Sequence, residues 1–124
     1  MLGEAQNVFQ AETVADYDLE NDGLHSLYFG FGHKGYFTLC RDFDGQDETI
    51  YFEKDDQTNY KYIYPSNVQY IIENGKVEFL IDDSVARDDM FWKRFIISFT
   101  PLPKADYEKM KNKLAIIWSD GESV

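Results

Sequence analysis

The sequence predicts an α+β domain in which a mostly antiparallel β-sheet, a meander of about seven or eight strands, carries a C-terminal amphipathic helix. Three observations lead there. Aromatic and β-branched residues recur in short runs separated by turn residues along most of the chain. Asn74-Gly75 joins two of those runs in a register that pairs apolar with apolar. From Lys104 to Trp118, and there most clearly, apolar residues return at helical spacing.

The elements follow in order. Asn7 to Tyr17, with Val8, Val14 and Tyr17 among polar residues, reads as a first strand closed by the Asn21-Asp22-Gly23 turn. Leu24 to Phe31 and Tyr36 to Arg41 are strands joined by Gly32-His33-Lys34-Gly35, and Ile50 to Glu53 and Tyr60 to Tyr64 extend the meander. In the hairpin Val68 to Ile81, Glu73 faces Lys76, Ile72 faces Val77, Tyr70 faces Phe79 and Val68 faces Ile81, about a turn with the composition of type I′. Ser84 caps a short helical turn to Met90, and a strand from Arg94 to Thr100 ends at Pro101 and Pro103. In the final helix Tyr107, Met110, Leu114, Ile117 and Trp118 form the apolar stripe, and Lys104, Lys109, Lys111 and Lys113 occupy the remainder.

A chain of 124 residues without a Pro, Gly or Ser-rich linker or a repeat fits one domain, 1–124. Its single cysteine, Cys40, permits no internal disulfide, and no apolar run approaches the length of a membrane helix, so the expected setting is the cytoplasm. The net charge of −11 is lopsided: residues 1–60 hold thirteen acids against three bases, residues 61–124 ten against nine. Such a chain lacks the Lys and Arg clusters that neutralise phosphates, which argues against direct nucleic-acid binding; an acidic half suits a basic partner and would equally serve to keep the protein soluble.

Motifs with chemical meaning fail in context. Gly30-Phe31-Gly32-His33-Lys34-Gly35 spells a glycine-rich nucleotide fingerprint, yet a strand follows it where a helix is required. Asp18, Glu20, Asp22 and Gly23 open like a calcium loop, but Phe29 stands where the closing bidentate Glu belongs. Cys40 with His25 or His33 is the sole material for a thiol and imidazole pair, and no paired cysteine spacing supports a metal. No cofactor, metal or catalytic residue is therefore expected.

The run from Asp42 through Asp56 interleaves acids with Phe43, Tyr51 and Phe52 and is followed by Gln57, Tyr60 and Tyr62. Tyrosine offers rigid amphipathic area and carboxylates steer cations, which suits protein recognition; the same run would equally serve as a solvated, aggregation-resistant sheet edge. In the order Tyr36 to Arg41, Phe43-Asp44 with Gln46-Asp47, Tyr51-Phe52-Glu53, Asp55-Asp56-Gln57, Tyr62, the Val68 to Ile81 hairpin and the helix with Tyr107, Met110, Leu114 and Trp118, the chain resembles the immunity protein 10 family of bacterial polymorphic toxin systems. The likeness spans about Leu24 to Trp118. It departs in short links at Arg41 to Phe43 and Asp47 to Thr49 and in the lack of glycines from Lys61 to Ser66.

That resemblance implies a non-catalytic cytoplasmic antidote that binds and neutralises a cognate protein toxin, with a basic nuclease fitting the charge. The partner surface expected is Asp44, Asp47, Glu53, Asp56, Gln57 and Tyr62, and Glu53 and Asp56 are expected to be solvent-exposed loop acids. Two alternatives stand beside it: a small-molecule-binding or hydrolytic domain using an aromatic cavity with Cys40 and His33, and a regulatory or structural homodimer subunit.

Overall fold

In the computed structural model, which describes residues 7–17, 20–21, 23–44, 48–82 and 94–119, the chain forms two sheets and one long helix. The strands are β1 (Asn7–Gln10), β2 (Thr13–Ala15), β3 (Glu20–Asn21), β4 (Leu24–Gly30), β5 (Tyr36–Asp42), β6 (Ile50–Lys54), β7 (Tyr60–Ile63), β8 (Val68–Glu73), β9 (Lys76–Ile81) and β10 (Arg94–Ser98), followed by α1 (Lys104–Trp118). The fold class is α+β. The single meander expected is divided in two: a six-stranded sheet in the order β2-β4-β5-β6-β7, with β3 also on β4, and a four-stranded sheet in the order β1-β10-β9-β8.

The division falls at Pro65, which opens a 3-10 turn through Asn67. Proline has no N–H to give a ladder, so strand pairing stops there and the next strand starts a new sheet. A second crossing corrects the expected first strand. Asn7 to Tyr17 is two strands, β1 lying parallel to β10 and β2 antiparallel to β4. At the corner, buried Ala11 donates its N–H to the Ser98 carbonyl at 2.7 Å while the next N–H, of Glu12, goes to the Gly30 carbonyl at 2.7 Å. Consecutive residues thus belong to different sheets, which alternation along the sequence cannot reveal.

The β8–β9 register is the one expected, Glu73 to Lys76 through Val68 to Ile81. Its turn is not type I′, since Gly75 alone takes a positive φ, +112°, and Asn74 does not. The Asn74 side chain instead brackets Leu102, donating from Nδ2 to its carbonyl at 2.9 Å and accepting its N–H at Oδ1 at 2.8 Å. The expected Arg94 to Thr100 strand ends at Ser98. The expected helical turn capped by Ser84 lies outside the described residues.

Period-2 alternation sends Leu27, Phe29, Phe37, Leu39, Ile50, Phe52 and Ile63 to the inner face of the larger sheet and Val68, Val77, Phe79, Ile81, Phe95 and Ile97 to that of the smaller. Phe37 touches Phe95 at 4.8 Å and Phe79 at 5.6 Å between ring centroids, locking sheet to sheet. Helix α1 packs against the larger sheet with Met110, Leu114 and Ile117 buried, and Trp118 meets Tyr70 at 4.6 Å in a tilted contact while its Nε1 donates to the Val68 carbonyl at 2.9 Å.

Lys113, expected on the polar side, is also buried, with Nζ 2.8 Å from Nδ1 of His25. Arg41, at 3 % exposure, reaches the helix end, donating from Nη1 to the carbonyls of Ile117, at 2.8 Å, and Ser119. A cation at that end satisfies orphan carbonyls and opposes the negative pole of the helix. These two contacts fix the helix over His25 and Arg41, leaving the opposite face of the sheet uncovered by any described element.

Candidate functional site: a tyrosine and carboxylate face

The same alternation that buries Phe37, Leu39 and Phe52 turns the intervening residues outward. Across β4 to β7 the outward rows are Tyr28, Thr38, Glu53 and Tyr60, and beside it Ser26, Cys40, Tyr51 and Tyr62, with Tyr36 at the start of β5. Tyr60 and Tyr62 are 48 % and 58 % exposed, which is costly for rings that do nothing but cover a sheet. Among the described strand residues, no outward position of this sheet holds Lys or Arg.

Glu53 is the hub. The Tyr36 hydroxyl donates to its Oε2 and the Tyr51 hydroxyl to its Oε1, so both carboxylate oxygens are gripped and the side chain is held in one orientation. Tyr60 faces it across the strand pair, and the rings of Tyr51, Tyr60 and Tyr62 lie 5.2 to 5.8 Å apart in mutual contact. Tyr28 stacks on Tyr36 at 5.9 Å on the far side. The hydrogen bond to Glu53 pushes the Tyr36 hydroxyl up to about 12, and burial first, then the same carboxylate, raises Tyr51 further. Both phenols therefore stay protonated donors at neutral pH.

One end of this face is fixed by a backbone contact. Asp55, at φ +66°, accepts the Tyr36 N–H at Oδ1 at 2.9 Å and donates its own N–H to the Tyr36 carbonyl at 3.0 Å. A side chain at Gly35, φ +114°, would place Cβ 2.0 Å from that carboxylate, so only glycine allows the approach that brings the Tyr36 hydroxyl diagonally to Glu53. Beyond it Asp56, fully exposed, accepts the backbone N–H of Thr58 at 2.9 Å and its hydroxyl at 3.1 Å, which lower its carboxyl below the ordinary value.

Of the residues expected to bind a partner, Glu53 and Tyr62 share the outward face, and Asp56 and Gln57 form its rim in the β6–β7 turn. Asp44 is exposed past the opposite end of β5, roughly 20 Å away at about 3.4 Å per strand residue, and Asp47 lies outside the described residues. Glu53 is not a loop acid: it is a half-buried strand residue. Tyr36, Tyr51 and Tyr60 complete the site and were missing from the expected set. Their signal was present as the phase of alternation, Tyr36-x-Thr38, Tyr51-x-Glu53 and Tyr60-x-Tyr62, opposite to Phe37, Leu39, Phe52 and Ile63.

The structure does not bring the thiol and imidazoles together. Cys40 lies outward between Ser26 and Tyr51, His25 belongs to the inward row with Arg41, and His33 is exposed in the β4–β5 turn. Phe29, Phe37, Phe52, Phe79 and Phe95 fill the core ring against ring, so these aromatics line no cavity. Among the described residues no three His, Cys, Asp or Glu side chains gather as a metal site would, and no helix is long and apolar enough to cross a membrane. The calcium-like residues Asp18 and Asp22 lie outside the described residues. Compared with known protein families, curated proteins and solved structures, the chain finds no match.

Proposed function

We propose that this protein is a non-catalytic binding protein of the immunity type, which captures a cognate basic protein toxin on the outward face of β5, β6 and β7 and thereby blocks it. The observation that carries the reading is Glu53, held between Tyr36 and Tyr51 and walled by Tyr60 and Tyr62, on a face whose described strand positions hold no Lys or Arg. Exposed tyrosines in contact give rigid area at small entropic cost, and a fixed carboxylate among them suits a cationic hot spot. The net charge of −11 supplies long-range attraction for a basic partner, and the resemblance to the immunity protein 10 family points to a toxin.

The test is to isolate the partner from source cells and measure association with Asp56→Lys/Tyr62→Ala, both exposed positions, and with Lys109→Glu on α1 as control. The face variant is expected to associate at least tenfold more slowly at low salt, an effect in the range of electrostatic steering, and to lose protection against the toxin. The control should bind as the native chain does. Equal loss in the helix variant, or none in the face variant, would move the contact elsewhere.

A further inference from the structure

We infer that the Glu53 face is a receptor for an arginine side chain projecting from the partner, a refinement that rests on the partner-binding reading above. A tyrosine hydroxyl has one proton to donate, and Tyr36 and Tyr51 both spend theirs on Glu53. What the two carboxylate and two phenolic oxygens turn outward is therefore lone pairs alone. Such an array repels carboxylate and phosphate and satisfies a group that is all donor.

Two protein side chains are cations rich in donors, and the geometry favours one. A guanidinium offers five N–H groups in a plane, matching acceptors spread over two strands, while an ammonium offers three from one atom. The planar cation also stacks on aromatic rings and surrenders its hydration more readily. Tyr51, Tyr60 and Tyr62 provide those rings within 5.8 Å of one another, beside the carboxylate. Charge is complementary on a larger scale too: Asp56 at the rim and a net −11 draw a cation to the face, and no outward Lys or Arg of the described strands competes for Glu53.

The probe is N-acetylarginine amide, titrated into the full chain while the Tyr51, Tyr60 and Tyr62 ring signals are followed by NMR, with N-acetyllysine amide at equal ionic strength as comparison. The expected result is saturable movement of those signals by the arginine amide, several-fold weaker binding of the lysine amide, and loss of binding in Glu53→Gln, whose amide puts a donor into the acceptor array. Tyr62→Ala, which removes an exposed ring and leaves the hub intact, should weaken the arginine amide and abolish the preference over lysine. Absence of saturation, equal response to both amides, or undiminished binding in both variants would overturn the inference. Unmoved tyrosine signals together with slowed partner association in Asp56→Lys/Tyr62→Ala would overturn the arginine receptor and leave the partner-binding reading standing. Arginine binding with partner association indifferent to those substitutions would do the reverse.

Discussion

Glu53 decides the chemistry of the face, and its grip on two phenols has a measurable signature. The hydrogen bond raises Tyr36 from the ordinary 10.0 to about 12, so the bond contributes stability in full below pH 10 and loses it as pH rises through about 12. For Tyr51 burial is the larger cause and the carboxylate the next. Glu53→Gln is therefore expected to return Tyr36 most of the way to its ordinary value and Tyr51 only part of the way, read from the 13C shifts of each phenol ring across a titration. Equal behaviour of the two, or ordinary titration of both in the native chain, would contradict the contact. The residues of this hub were individually visible in the sequence. Their assembly was not, because Tyr36 meets Glu53 through the β5–β6 register, set by the connection from Phe43 to Thr49, which no local rule fixes. Lys113 shows the same limit: helical spacing predicts it on the polar side, and its burial beside His25 depends on a residue 88 positions away.

Elements were most legible where a short turn imposed the pairing. Asn74-Gly75 determines the β8–β9 register through adjacent residues, and α1 announces itself by periodicity over 15 residues. Asn7 to Tyr17 reads as one strand in sequence because the switch between sheets occurs at Ala11 and Glu12 through bonds to Ser98 and Gly30, both distant in sequence. The β4–β5 connection behaves as a hairpin turn rather than a phosphate loop, with Gly35 placed where the Asp55 carboxylate abuts the backbone. Gly35→Ala is expected to destabilise the fold by about 1–3 kcal/mol, through both the positive φ and the 2.0 Å approach, measured by denaturant unfolding. It should also displace Tyr36 and lower its phenol toward the ordinary value. A stability loss without that change would detach Gly35 from the site.

For the whole molecule, α+β was legible because alternation and a single helical period are local signals, whereas the division into two sheets depends on which strands meet. The partition has a functional consequence. One face of the larger sheet is filled by the smaller sheet and α1, and the other, which no described element covers, carries tyrosines and a fixed carboxylate. On the proposed reading, the partner sits on this tyrosine and carboxylate face. Hydroxyl-radical footprinting of the chain with and without its partner tests it most directly, since tyrosine rings are themselves the reactive reporters. The predicted result is protection of Tyr51, Tyr60 and Tyr62 in the complex, with Tyr107 and Ile116 on α1 unchanged; protection confined to the helix, with Tyr60 and Tyr62 oxidised as in the free chain, would contradict it.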